Sequence, residues 1–256
     1  MAYFVDAATF DVDYMRTAAL FTGLADGPLA TICFAVKFDA AGDGVFQRIF
    51  NHNGSQFQVY KDASNILNLI VQDATFVTQL KLTSTSSYTS ANGWLRVNAS
   101  FNINFGAGSK IGYLYINDVD DKTVSNDVGA AANIGYTTGS SWSVGENAGA
   151  GTQLLKGSLA ELWFSGTTAI DFSSTSNRRN FILSGLCPVN LGSNGSNPTG
   201  SSPDCYLHLD DGEAVANFAT NRGTGGNFTI TGALATAETS PSDGCVDPTL
   251  RAAGWC

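Results

Sequence analysis

The sequence is poor in charged residues, and above all in positive charge. Of its 256 residues 14% are charged, and 13 Lys and Arg stand against 22 Asp and Glu, a net charge of −9 at pH 7. Such a surface repels phosphate backbones, so we expect no nucleic-acid partner. The sequence also lacks an apolar run of about 20 residues, so we expect no membrane-spanning segment. The N-terminal residues lack the basic region of a secretory signal.

Cysteine and histidine are too few and too widely spaced to predict a metal–thiolate site. The five cysteines include no C-x-x-C pair, and His52 and His208 are the only histidines. Zinc sites need closely spaced ligands of these types. Cys187 and Cys205 flank a loop rich in Gly, Ser, Asn and Pro, so they could approach each other. In a reducing cytoplasm both would stay thiols.

Most of the first 165 residues alternate between apolar and polar side chains with a period of two. In TICFAVKF (31–38), for example, Ile32 and Phe34 share one face. Turn clusters such as DAAGDG (39–44) separate these segments. Short strands at such regular spacing are typical of an antiparallel sandwich rather than of βαβ units.

Two local patterns punctuate the strands. The tripeptides IND and VDD predict a tight hairpin, because Asn117 and Asp118 tolerate the left-handed turn conformation. The segment DFSSTSNRRNFI (171–182) predicts a short helix with Ser173 or Ser174 as its N-cap.

Composition changes in the last part of the chain. Residues 188–204 have the composition of a loop, and strand signals follow at 205–210 and within 221–234. We therefore divide the chain into a jelly-roll domain, residues 1–186, and a C-terminal extension, residues 187–256. The extension is expected to add a loop, further strands and a docking tail.

The tail from Glu238 to Cys256 is small, polar and irregular. Its few large apolar side chains could not offset the roughly 1–2 kcal/mol per residue that ordering the backbone costs. We therefore predict that the tail docks in a groove, on this chain or on a partner. Trp255 is the expected anchor, because buried aromatic residues dominate many interfaces.

The segment GWLRVNASFNINFGAGSKIGYLYINDV (93–119) resembles the W-x-x-V-x-A-S … L-Y-V-D-G-V signature of laminin-G-like, concanavalin A-like jelly rolls. Trp94 and Tyr115 are among the matching residues, while Asn117 and Asp118 stand where the family usually has Asp-Gly. The resemblance implies that Trp94 starts a strand and is buried against the core.

Two further segments extend this resemblance over residues 14–186. ATICFAVKFD (30–39) is similar to the early core strand of the family, and GSLAELWF (157–164) is similar to its closing strand. The implied fold is all-β, a concanavalin A-like antiparallel β-sandwich or jelly roll with a short helix and a C-terminal extension.

Three stretches resemble a narrower group, the stand-alone lectin-fold proteins of tailed bacteriophages and related prophage particles. They are residues 171–182, 188–203 and 221–228. This resemblance implies a virion-associated protein, assembled in the cytoplasm of the bacterial host. Its expected partners are other virion proteins and further copies of itself in a homo-oligomer.

Glu161 is the candidate catalytic acid, because it lies in the middle of the predicted closing strand. Glycoside hydrolysis needs two carboxyl groups roughly 5–9.5 Å apart, and residues two apart on a strand point to the same face. The residues expected on its face include no acid: they are Gly157, Leu159 and Trp163. We therefore predict that the chain is not an enzyme and that Glu161 pairs with an arginine, Arg178 or Arg179, or with a backbone group.

Candidate sugar-binding residues lie in the segment NIGYTTGSSWSVGEN. Sugar sites stack loop aromatics on pyranose faces and bond the hydroxyls with polar groups. Tyr136 and Trp142 are the candidate aromatics, with Asn147 nearby, although Trp142 fits a core position equally well.

An acidic hairpin is the candidate metal site. Calcium prefers several carboxylate oxygens, and Asp118, Asp120 and Asp121 supply three. Their spacing matches no calcium loop, and a solvated turn explains the pattern as well. Apart from this possible calcium we expect no cofactor.

Together these observations predict a non-enzymatic bacteriophage virion structural protein with a lectin-like fold. It would lie on the head or tail surface as a decoration, cement, spike or fibre protein, and it requires large contacts between chains. The first alternative is an adsorption lectin that binds host surface polysaccharide, which needs exposed aromatics. The second is a glycoside hydrolase or lyase, which needs paired carboxylates in a cleft.

Overall fold

Strands dominate the chain in the computed structural model. It describes residues 3–54, 56–125, 129–147, 149–183, 185–243 and 245. Over these residues the chain forms 16 strands, one short α-helix, and three 3₁₀ turns at Ala40–Gly42, Ser90–Asn92 and Val215–Ala219. In chain order the strands are β1 (Ala8–Phe10), β2 (Tyr14–Thr17), β3 (Leu29–Phe38), β4 (Gln47–His52), β5 (Phe57–Lys61), β6 (Ile66–Gln72), β7 (Thr78–Ser87), β8 (Leu95–Asn102), β9 (Ile111–Ile116), β10 (Val119–Asp120), β11 (Thr123–Ser125), β12 (Trp142–Val144), β13 (Gly157–Ser165), β14 (Cys205–Leu207), β15 (Phe228–Thr231) and β16 (Ala235–Thr236).

The strands form two antiparallel sheets of eight. The first sheet has the order β10-β9-β8-β3-β13-β1-β16, and β14 pairs with the part of β13 that β1 leaves free. The second sheet has the order β11-β7-β6-β5-β4-β12-β2-β15. Helix α1 (Thr175–Arg178) follows the closing strand β13. The predicted all-β sandwich with one short helix is confirmed.

One apolar core lies between the two sheets. Period-two alternation directs Ile32, Phe34, Val36 and Phe38 of β3 into this core, as the sequence predicts. The partner strands supply similar inward rows, and aromatic rings fill the centre. Burial of this apolar surface is the main force that holds the sheets together.

A second, smaller core covers part of the opposite face of the first sheet, which we call the outer face. It lies under residues 166–204, and its buried members are Cys33, Tyr115, Trp163, Phe172, Phe181, Ile182, Leu191 and Tyr206. Helix α1 begins after Ser174, one of the two predicted N-caps. Residues 166–204 therefore cover one end of the outer face. The other end forms a polar groove, described below.

The predicted hairpin is confirmed between β9 and β10. Asn117 and Asp118 have φ values of 51° and 68°, the left-handed conformation that a tight turn requires. Trp94 differs from its prediction, because it is only half-buried. It lies on the outer face against a small cluster formed by Ala7, Ala35 and Ala160. The small size of these alanines leaves room for an indole outside the main core.

The C-terminal extension joins both sheets. β14 pairs with β13, β15 with β2, and β16 with β1. Beyond β16 the described tail residues dock on this chain, where Ser242 Oγ accepts from Val5 N at 3.2 Å. The predicted anchor Trp255 lies outside the described residues.

The cysteine pairing differs from the one considered from the sequence. Cys187 forms a disulfide with Cys245, across a sequence separation of 58. Cys205 is a buried free thiol, because its position in β14 turns it into the core between the sheets.

No helix within the described ranges is long and apolar enough to span a membrane.

Candidate functional site

Glu161 lies at a bulge in β13. The register between β13 and β3 shifts between Ala160 and Trp163, and Glu161 has a φ of 50°. The extra residue places Glu161 on the outer face beside Trp163, whereas Leu159 belongs to the core between the sheets. The expectation that Leu159 shares a face with Glu161 is therefore wrong, because strict alternation stops at the bulge.

The partner of Glu161 is Arg96 of β8. Arg96 Nη1 donates to Glu161 Oε2 at 3.0 Å, and both side chains are only 4% exposed. Burial raises the pKa of Glu161, and the adjacent guanidinium opposes that shift. The predicted partners Arg178 and Arg179 instead bind Asp118, at 2.5 and 2.6 Å. Glu161 is thus one half of a buried ion pair.

The space around Glu161 does not suit a sugar. The adjoining cavity has a volume of about 10 Å³, enough for one water molecule, and Arg96, Asn98 and Cys33 line it. On the other side His208 Nδ1 lies 4.0 Å from Glu161 Oε1. The described residues that line this cavity include no second carboxylate, so it lacks the pair that glycoside hydrolysis requires.

Both candidate sugar-stacking aromatics lie in the core, which excludes Tyr136 as a sugar-binding residue and agrees with the core alternative for Trp142. Trp142 is 0% exposed and Tyr136 is 1% exposed. Trp142 stacks on Phe21 and Phe50, with ring centroids 4.8 and 5.2 Å apart. Because β12 alternates, its tryptophan faces the opposite sheet. Asn147 is half-buried and forms an isolated bridge with Thr152. Because Tyr136 and Trp142 are buried in the core, neither ring can stack on a sugar beside Asn147.

The acidic hairpin does not gather its carboxylates around one point. Asp120 pairs with Lys122 at 2.8 Å, and Asp118 pairs with the two arginines described above. Asp121 is buried and accepts from Tyr88 Oη at 2.5 Å. Across the described residues, no group of three or more His, Cys, Asp or Glu side chains could hold a metal ion. The hairpin carboxylates stabilise the fold instead.

A polar depression lies on the outer face, beside the smaller core. We call it the outer-face groove, and its volume is about 420 Å³. Its floor is one row across three strands, because Thr9 of β1 pairs with Ser158 of β13, which pairs with Lys37 of β3. Its walls are Asp39 and four residues of the C-terminal extension, Ala235, Thr236, Glu238 and Thr239. This volume falls in the range of about 300–1,000 Å³ that is typical of small-molecule sites.

The groove offers both hydrogen-bond donors and acceptors. Thr9 Oγ1 and Ser158 Oγ lie 2.9 Å apart, and Lys37 Nζ donates to Thr239 Oγ1 at 3.1 Å. Trp94 Nε1 donates to the same threonine hydroxyl at 3.2 Å, which places the half-buried indole beside the groove. Hydroxyl, ammonium and carboxylate groups of this kind bond the hydroxyls of a polar ligand.

Two carboxylates, Asp39 and Glu238, line the groove. Both are exposed to solvent. A general acid in glycoside hydrolysis needs an apolar environment that holds its proton near neutral pH, as a buried carboxyl has. Asp39 and Glu238 lie outside such an environment, and as exposed carboxylates they can accept hydrogen bonds from a ligand.

Sequence reasoning missed this groove because its residues come from four distant segments. Thr9, Lys37 and Ser158 each occupy an ordinary polar position in an alternating strand. Only the strand order of the first sheet brings them into one row. The sequence predicts that the tail docks in a groove, but it does not show which strands form that groove, and most of the tail lies outside the described residues.

Comparison with known proteins supports the fold assignment. No protein-family model matches the sequence, and no curated protein matches it. A solved structure of a proposed carbohydrate-binding protein from Bacteroides ovatus matches with a TM-score of 0.62 and 14% identity, over 93% of this chain and 61% of the other. The heptameric SAP-like pentraxin of Limulus polyphemus matches with a TM-score of 0.52 and 12% identity, over 91% of this chain and 94% of the pentraxin.

Domains LG4-5 of the mouse laminin α1 chain match at a TM-score of 0.45 and 11% identity, over 66% of this chain and 46% of the other. This chain thus spans less than two thirds of the Bacteroides protein, and nearly all of the pentraxin. At 14% and 12% identity, the likeness to the Bacteroides protein and the pentraxin concerns the fold alone. The chain has the concanavalin A-like, lectin-type β-sandwich fold, as its laminin-G-like motifs predict.

Proposed function

We propose that this chain is a non-enzymatic glycan-binding protein, which holds a short stretch of polysaccharide in the outer-face groove. The observation that carries this proposal is the groove itself, a depression of about 420 Å³ lined by hydroxyl, ammonium and carboxylate groups. Polar groups fixed on rigid strands suit the recognition of sugar hydroxyls. The half-buried indole of Trp94 supplies an aromatic edge beside them.

The state of Glu161 supports a non-enzymatic role. Its carboxylate is bound to Arg96 inside the protein, and the cavity beside it is about 10 Å³. A substrate sugar has no room there. We therefore expect no hydrolysis of polysaccharide to depend on Glu161.

We further propose that the protein works on the surface of a tailed-bacteriophage particle, as part of a homo-oligomer with other virion proteins. The support is the resemblance of residues 171–182, 188–203 and 221–228 to proteins of such particles. In this setting the groove would bind host surface polysaccharide during adsorption. Labelling of the protein on intact particles tests this location, and absence of the label from purified particles would exclude it.

Isothermal titration calorimetry with oligosaccharides cut from bacterial surface polysaccharides tests glycan binding. Lys37→Ala should weaken binding by about tenfold or more, because a hydrogen bond from a charged group contributes about 1.5–3 kcal/mol. Lys81→Ala is a matched control, since Lys81 is a partly exposed strand lysine of the other sheet. Equal affinities of the two variants would show that the groove is not the site.

Glycoside hydrolysis is the second candidate, because Asp39 and Glu238 line one groove. The same oligosaccharides are incubated with the protein, and new reducing ends are measured. We expect none. Turnover that Glu238→Gln or Asp39→Asn abolishes, while Glu161→Gln leaves it unchanged, would replace the binding proposal with catalysis in the groove.

A further inference from the structure

A second polar pocket lies on the outer face, and the N-terminal residues 5–7 separate it from the outer-face groove. Its volume is about 190 Å³, and we call it the His208 pocket. Val5 bridges to Asp210 on the pocket side, and Ala7 accepts from Ala237 N on the groove side. Residues 5–7 therefore lie between the two depressions. The side chains that line this pocket are Tyr3, Asn190, Ser193, His208, Asp210 and Arg222.

A buried imidazole holds two of these groups in place. The side chain of His208 is 2% exposed, and its Nε2 lies 2.9 Å from Tyr3 Oη and 3.0 Å from Asp210 Oδ1. Behind the ring, Nδ1 faces Glu161 at 4.0 Å. Because the ring is fixed by packing, the hydroxyl and the carboxylate are preorganised at the pocket surface.

The charges of the pocket are already paired. Arg222 Nη1 donates to Asp210 Oδ2 at 3.1 Å, and Nη2 donates to Glu213 Oε2 at 2.5 Å. Hydrogen bonds from His208 and Arg222 lower the pKa of Asp210, so this carboxylate is ionised at neutral pH. The one arginine among the described lining residues is thus bound to two carboxylates. An acidic ligand would have to compete with them.

Neutral donors and acceptors remain for a ligand. Asn190 Oδ1 accepts from Gly192 N at 2.8 Å, which leaves the Asn190 amide Nδ2 to donate. Asn190 and Ser193 are both exposed. The volume of about 190 Å³ lies below the roughly 300 Å³ at which drug-sized sites begin, so the ligand must be small.

We propose that the His208 pocket binds a single neutral sugar ring, as a second site distinct from the outer-face groove. The sugar hydroxyls donate to Asp210 and accept from Asn190 and Ser193. Both depressions lie on the same face of the sheet, so the protein engages a surface polysaccharide at two points. Two linked weak sites gain avidity without any new contact.

Amide NMR spectra of the full chain test this proposal. The probes are glucose, galactose, mannose and N-acetylglucosamine, with glucuronate as the acidic counterpart. At least one neutral sugar should shift the amide signals of Gly192 and Ser193 saturably, at up to about 10 mM, which would largely occupy a site of millimolar Kd. Glucuronate at the same concentration should leave these signals in place.

Variants assign the shifts to the pocket. Asn190→Ala combined with Ser193→Ala should abolish them, and since both residues are exposed the fold should survive, as thermal unfolding will show. Lys37→Ala in the groove should retain them. The inference is overturned if no neutral sugar shifts these signals, or if glucuronate shifts them equally. Oligosaccharide binding that depends on Lys37 alone would leave the groove proposal standing and remove this one.

Discussion

The buried ion pair between Arg96 and Glu161 gives the sharpest stability prediction. Both side chains are 4% exposed, so removing one leaves the other charge without its partner in a low-dielectric interior. Breaking a buried pair in this way typically costs about 3–5 kcal/mol. Glu161→Leu should therefore lower the free energy of unfolding by about 3–5 kcal/mol. For a chain of this length that corresponds to a fall in Tm of about 6–20 °C.

The double variant Arg96→Leu/Glu161→Leu separates the pair from its surroundings. Replacing a whole buried pair by apolar side chains is often nearly neutral, so the double variant should be more stable than either single variant. Denaturant unfolding of the unaltered protein, the two single variants Arg96→Leu and Glu161→Leu, and the double variant measures the coupling energy between the two charges. If each single variant loses less than about 1 kcal/mol, or if the double loses their sum, the two charges do not act as a pair and the structural account of Glu161 is wrong.

Three further predictions concern the hairpin, the disulfide and the indole. Burial raises the pKa of Asp118 and Asp121, but the hydrogen bonds to their carboxylates together lower it by more, so the net pKa of each is lowered. Their stabilisation is therefore complete above an ordinary Asp pKa of about 3.9 and is lost as pH falls further. A Tm profile should show this acid loss, and Asn at both positions should flatten it. Cys245→Ser should cost roughly 4 kcal/mol in the chain-entropy estimate for a 58-residue separation, and reductant should have the same effect on the unaltered protein in denaturant titrations. An unchanged titration midpoint would show that the bond does not stabilise the fold. Trp94→Ala should cost about 1–2 kcal/mol, less than the 3–5 kcal/mol of a fully buried aromatic, because the indole is half-buried; a larger loss would place it in the core.

The sheet interiors could be predicted from the sequence because burial of one face imposes alternation. The ten residues of β3 alternate clearly, and so do those of β8, which carries the laminin-G-like motif. The hairpin at Asn117 was predictable for a local reason, since few residues tolerate its backbone conformation. Short strands such as β1 and β12 have three residues each, too few for a period to be recognised.

The candidate sites could not be predicted, because they depend on tertiary structure. A bulge shifts the register at Glu161, and no residue type marks it in the sequence. The sequence left Trp142 open between an exposed sugar-binding ring and a core position; it begins a short strand in the second sheet and packs in the core. Its neighbours in the core, such as Phe50, come from distant parts of the chain.

The neighbouring positions of the first and last strands have a consequence for engineering. β1 pairs with β16, and Val5 and Ser242 are hydrogen-bonded to each other, so the two ends of the described chain lie side by side. A short Gly/Ser linker could join them. New termini could then be opened at an exposed loop such as residues 104–109, because circular permutation succeeds where chain ends lie close and the cut falls in a surface loop. For the same reason the whole sandwich could be inserted into a loop of a host protein without forcing the two sides of that loop apart.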